Sequence, residues 1–132
     1  MKTFEDTKKG LKEYLSFKSL YSPFVTSNSN MNIFPKVVVE MADDREIKTD
    51  MKRFNVISSK HIEINIYAQD KTVGTKKVSG RTIAREIETH IKNYMGEYLN
   101  FKRTLDTPTP NLDTTVYRIT MRYQKNINEK FM

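Results

Sequence analysis

The residues best suited to chemistry are the acids of the run Asp43-Asp44-Arg45-Glu46-Ile47-Lys48. An acid followed by E-x-K is the pattern with which many DNA nucleases hold magnesium. Carboxylate oxygens suit Mg²⁺, and a nearby lysine can stabilise charge developing on phosphate. That use needs carboxylates converging from two paired strands, whereas these are crowded into one polar stretch, which reads more simply as a solvated loop. His61 and Glu63 share a face if residues 61–68 form a strand, but the H-x-E of zinc deaminases needs downstream cysteines, and the chain has none. His90 stands one helical turn after Glu86, the spacing of an intrahelical contact. Two histidines without a thiolate leave a zinc ligand set incomplete. No G-x-S-x-G, P-loop or dinucleotide-binding pattern occurs among the four glycines, so nucleophilic catalysis and phosphate cradling find no support. The expectation is a protein that is not an enzyme and uses no metal or cofactor.

A binding role fits the charge better. The formal net charge of +7 favours anionic partners, either DNA or an acidic protein surface. The cations are dispersed, however, in short pairs such as Lys8-Lys9, Lys52-Arg53, Lys76-Lys77 and Lys102-Arg103. Solvated charges that keep the chain soluble account for them as well as a dedicated anion-binding surface does. The seven tyrosines and seven phenylalanines could stack bases, but most fall on apolar stripes where core packing is the default. The lack of cysteine fits a reducing cytoplasm. No apolar run approaches the ~18 residues that span a bilayer, and the opening MKTFEDTKKGLKEYL is too charged for a signal peptide, so no membrane partner is expected.

At 132 residues the chain is one domain by length, large enough to bury roughly two thirds of its unfolded surface. Residues 3–21 predict a helix. Thr3 can cap it, Glu5 and Asp6 suit its first turn, and Phe4, Leu11, Tyr14 and Leu15 fall near one face despite Gly10. Pro23 ends it, and the polar residues 22–32 read as a linker to a sheet-plus-helix body over residues 33–132. Val37-Val38-Val39 predict a buried strand over 33–41, with Pro35 placing its start at an edge. Residues 61–68 alternate, with Ile62, Ile64, Ile66 and Ala68 on one side, and residues 47–57 predict a weaker third strand between these two.

Residues 69–78 read as a projecting, lysine-rich loop around Gly74. Ser79 can cap a second helix with a stripe of Ile83, Ala84, Ile87, Ile91, Tyr94 and Met95. On it Glu88 and Lys92 form a surface pair, and Gly96 stands where a left-handed cap is expected. A strand over 98–107, a proline-stiffened turn and a strand over 115–124 complete the chain. In the last strand Tyr117, Ile119, Met121 and Tyr123 share one face, and Arg118 and Arg122 the other. This order predicts an α+β domain, an antiparallel or mixed sheet of about five strands packed against two helices.

The phrases FPKVVVE, IYAQDK, KKVSGRTIAREI and TPNLDTTVYRITMRY, in this order over residues 34–123, resemble the tail-completion, or tail-terminator, family of tailed bacteriophages. Residues 42–56 lie outside the matching phrases. The resemblance implies a tail-terminator-like fold and a structural virion protein that closes the tail tube and joins it to the head as a hexameric ring. The partners so implied are other copies of the chain, the tail-tube protein, a head-completion or connector protein, and genomic DNA passing through the channel without sequence-specific binding. The implied location is the head–tail junction of a virion assembled in the host bacterial cytoplasm. A closed ring needs heterologous contacts, one patch meeting a different patch on the neighbour, and polar loops on a rigid sheet suit that task. The candidates are Asp43, Asp44, Arg45 and Glu46 from one loop and Lys71, Lys76 and Lys77 from another, opposite in sign and able to meet across a subunit boundary. The competing readings are a head-completion connector protein and a small basic DNA-binding or nuclease module.

Overall fold

A computed structural model describes residues 2–27, 33–50, 55–110 and 115–130, with side chains at all of these except 2–4, 42–50, 55–60, 73 and 126–130. The elements in chain order are α1 (Lys2–Lys18), β1 (Phe24–Thr26), β2 (Lys36–Asp50), β3 (Asn55–Gln69), β4 (Lys71–Val73), β5 (Lys76–Val78), α2 (Gly80–Lys92), a π-helical turn (Asn93–Tyr98), β6 (Lys102–Pro108) and β7 (Val116–Lys130). The fold is α+β, as the sequence predicts: a five-stranded mixed sheet in the order β1-β2-β3-β7-β6 and a separate β4–β5 hairpin. No described helix is long and apolar enough to cross a membrane.

Alternation along the strands builds the core. Val37 pairs with Ile66 and Val39 with Ile64 across β2 and β3, while Ile64 pairs with Met121 and Ile66 with Ile119 across β3 and β7. These rows meet Leu11 and Leu15 of α1 and Ile83, Ala84, Ile87 and Ile91 of α2, all fully buried. Burying each large aliphatic side chain contributes about 1.5–3 kcal/mol, which fixes the helices on one face of the sheet.

The opposite face is polar and internally paired. Arg122 Nε donates to Glu63 Oε1 at 2.9 Å, and Arg118 Nε and Thr120 Oγ1 donate to Asn65 Oδ1 at 3.1 and 2.7 Å. The two arginines do share that face, each held by a β3 side chain.

Four expectations are corrected. Within residues 22–32 lies β1, which pairs in parallel with Lys36–Val38; the start of β2 is therefore interior rather than an edge, and Pro35 stands just before it. The third strand expected over 47–57 is not a separate element. Of its described residues, 47–50 belong to the end of β2 and 55–57 to the start of β3, strands of 15 residues each that pair antiparallel. The expected loop over 69–78 is the β4–β5 hairpin, turned at Gly74 with φ 64°. Gly96 sits inside the π-helical turn, and the left-handed residue that ends the segment is Asn100, φ 57°. The proline-stiffened turn lies partly outside the described residues, as do residues 51–54 and most of the expected linker.

Candidate subunit interface

The basic candidates fall on a hairpin that the end of β3 and the start of α2 hold in place. Asp70, immediately after β3, accepts a hydrogen bond from the Gly80 N–H at 2.8 Å and lies 3.8 Å from Lys77 Nζ. Ser79 caps α2 as predicted, its Oγ accepting from the Thr82 N–H at 3.2 Å. A Cβ at Gly80 would stand only 2.7 Å from the carbonyl oxygen of Ala68, so the closeness of helix start to strand end requires glycine there. Lys71, Lys76 and Lys77 therefore project from a fixed base, not from a free loop.

Against this hairpin lies the end of α1. Glu86 of α2 accepts from Ser19 Oγ at 2.7 Å and from the Leu20 N–H at 3.3 Å, tying the segment just after α1 to α2. The same carboxylate lies 3.4 Å from His90 Nε2, the intrahelical contact expected from the sequence. Between the two elements opens a groove of about 1110 Å³, lined by Leu20, Tyr21, Lys71, Lys76, Lys77 and Thr82 among others. Leu20 is 83% exposed, so the groove offers an apolar wall beside three ammonium groups.

The acidic candidates are differently placed from the expectation. Asp43, Asp44, Arg45 and Glu46 lie in strand β2, not in a loop, at register positions opposite His61, Lys60, Ser59 and Ser58 of β3. Backbone pairing with β3 overrides the weak strand propensity of Asp, and irregularities at Met41/Asp43 and Glu46/Lys48 absorb the misfit. Positions of their side chains lie outside the described residues. No carboxylate stands opposite these four in the register. Among the described residues, no three His, Cys, Asp or Glu side chains gather as a metal-holding group.

Strand β3 links the two candidate patches and separates them. It begins beside the acidic stretch and ends at the root of the basic hairpin, with 8 to 11 residues between the acids' partners, 58–61, and Gln69. At about 3.3 Å per residue the separation is roughly 25–35 Å along the strand. The structure thus does not bring the two patches together within one chain.

A second charged group was only half visible in the sequence. Lys92, expected to pair with Glu88 at the surface, is 3.8 Å from Glu88 Oε1 but 3.0 Å from Asp106 Oδ2 of β6. Arg85 reaches Glu88 at 3.1 Å and Arg103 reaches Asp106 at 3.7 Å. Burial and the neighbouring Asp106 push the Glu88 carboxyl above its ordinary range. Burial acts the same way on Asp106, but the Glu88 hydrogen bond, Lys92 and Arg103 outweigh it and hold Asp106 below its ordinary value. Nothing in the sequence joins Asp106 to α2, because that contact depends on the β6–β7 register. No known protein family matches this chain, and no curated protein matches it.

Proposed function

We propose that this chain is a structural virion protein that terminates a phage tail tube and joins the tail to the head, acting as an oligomeric ring around the DNA channel. The phrases over residues 34–123 that resemble the tail-completion family support this reading. The observation that carries it is the separation of charge along β3, with acids beside one end and the lysine hairpin beyond the other. Within one subunit the two candidate patches stand at opposite ends of β3 and do not meet each other. A contact between them would be made head to tail with neighbours, the heterologous mode that closes into a ring when the rotation between subunits allows. Opposite charges at such a boundary also fix register and reject wrong partners. Hexameric closure is taken from the resemblance, and tail-tube and connector proteins would occupy the two ring faces.

The test is a phage that encodes this chain and carries a deletion of its gene. Electron microscopy of lysates is expected to reveal DNA-filled heads and separate tails that fail to join. Empty heads with fully joined tails would reject the role.

A further inference from the structure

We propose that the outer edge of β2 over residues 44–50 pairs in parallel with the outer edge of β7 over residues 125–130 of a second copy, so that the sheet runs on from copy to copy. This inference rests on the head-to-tail reading, but it uses backbone edges and does not need the charged patches to meet. The sheet has five strands over only part of its height. Strand β1 covers β2 as far as Val38, and β6 covers β7 over residues 119–124. At the level of residues 55–60 of β3 the sheet is β2-β3-β7 alone, with both outer edges unpaired among the described residues. The two open edges match in level and in length. Residues 44–50 and 125–130 flank the same six residues of β3, about 20 Å of strand, and the irregularity at Glu46/Lys48 gives β2 one residue more. Unpaired N–H and C=O groups along such an edge are a template for a strand from another chain.

Strand direction points to a second copy as the occupant. Both β2 and β7 run antiparallel to β3 and therefore run the same way. Copies related by rotation about one axis thus bring β7 of one beside β2 of the next in parallel, each copy supplying both halves of a repeating heterologous contact. The outer edge of β2 already accepts a parallel strand, since β1 pairs with Lys36, Val37 and Val38 in that sense. The outermost strands of the five-stranded part are blunted, β1 being three residues long behind Pro23 and β6 ending at Pro108. Neither 44–50 nor 125–130 contains proline, the residue that most directly blocks an edge.

The chain has no cysteine, which makes a disulfide test clean. Full-length Thr49→Cys protein with a second cysteine at one of positions 125–130 is oxidised at its highest soluble concentration. Within one chain β3 stands between the two edges, so their Cα atoms are two strand spacings apart, about 10 Å, beyond the ~7 Å limit of a disulfide. Across the proposed contact they are one spacing apart, about 5 Å. The expected product is a ladder of disulfide-linked multimers, strongest near position 129, which is level with Thr49 across Val56, while single-cysteine variants stop at dimers. Proline then tests the edge itself. Successive N–H groups of β7 alternate between β3 and the outer side, so one of Asn126→Pro and Ile127→Pro spares the β3 pairing. The proline variant that keeps the parent melting temperature should reduce the ladder to the single-cysteine background. A tolerated proline that leaves the ladder intact overturns the edge pairing. Thr49→Cys alone dimerising as readily as the double variants multimerise would mean two-fold pairing of β2 with β2, and also overturns it. Wild-type protein that sediments as an oligomer while none of the six double variants gives a ladder overturns this contact and leaves the ring reading standing. A protein that stays monomeric and uncross-linked overturns the proposal outright, while the deletion phage decides the ring reading separately.

Discussion

Gly10 of α1 lies directly beneath the phenol of Tyr94. A Cβ added to Gly10 would overlap Tyr94 Oη, with the ring carbon Cζ 3.2 Å away. Tyr94 cannot easily turn aside, because its ring centroid is 5.0 Å from that of Tyr14 and 6.0 Å from that of Tyr98. The glycine that looks like a defect in a helical sequence is where α1 packs against Tyr94 of the π-helical turn that follows α2.

Two effects of Gly10→Ala therefore oppose each other. Alanine gains about 1 kcal/mol of helix propensity, and overpacking costs about 1–3 kcal/mol. The substitution is expected to destabilise on balance, and to cost clearly less in a Tyr94→Phe background, where the offending oxygen is gone. Urea denaturation of the four proteins gives the coupling as a double-mutant cycle. A stabilising Gly10→Ala in the parent would show that the helices do not meet there.

The Glu88–Asp106 pair predicts a two-sided pH dependence. Asp106 Oδ1 is buried without a hydrogen-bond partner, and burial together with Asp106 raises the Glu88 pKa. Asp106 has a depressed folded pKa, so its contribution is present above the ordinary Asp value and fades as pH falls through the folded value. Glu88 has a raised folded pKa, so its contribution is complete below the ordinary Glu value and fades as pH rises through the folded value. Glu88→Gln keeps a donor for Asp106 without a titrating group. Its melting temperature should thus lose less than the parent's as pH rises from 4 to 8. Parallel pH profiles for the two proteins would refute the raised Glu88 pKa.

Local periodicity made the two helices and the paired apolar rows legible. Ile62, Ile64 and Ile66 alternate in a strand whose neighbours are equally regular, and Ile83, Ile87 and Ile91 recur at helical spacing. What stayed hidden depends on pairing at a distance. The brief β1 is recognisable only once Lys36–Val38 is beside it, and the acids of β2 read as loop because their strand character comes from β3, not from their own propensity. The charge candidates were visible as residue types, but their placement at opposite ends of β3 follows from register, which no single segment encodes.

Ile64 and Ile87 are fully buried in the centre of their stripes, so Ile64→Asp or Ile87→Asp places an unpaired charge in the core. Each should cost several kcal/mol of a typical ~5–15 kcal/mol stability. The sequence would make Lys92→Asp a mild surface change, but the structure places Lys92 against two carboxylates. Reversing it sets a third acid beside Glu88 and Asp106, and the loss should exceed the ~0.5 kcal/mol typical of a surface substitution. Thermal unfolding of the three variants checks the order, with Lys92→Asp between the parent and the core variants. Parent-like melting for Ile64→Asp would mean that the β3 register is wrong, and parent-like melting for Lys92→Asp would remove the Asp106 contact.

DNA binding separates the structural reading from its enzymatic rival. Several cations that raise the net charge are engaged internally: Arg122 on Glu63, Arg118 on Asn65, Arg85 on Glu88 and Lys92 on Asp106. The lysines of the β4–β5 hairpin are among those that face solvent, Lys77 doing so while 3.8 Å from Asp70. Duplex DNA should therefore bind weakly and without sequence preference, and release steeply as salt rises. If Lys76 and Lys77 each neutralise a phosphate, converting both to Glu should lower the slope of log K against log salt by about two. Neither protein should cut DNA in the presence of magnesium. The decisive control is Glu46→Gln. On the structural reading it leaves the DNA result unchanged, because Glu46 lies on a strand with Ser58 opposite rather than a second carboxylate. Magnesium-dependent cleavage that vanishes with this one substitution would instead establish a nuclease and displace the ring.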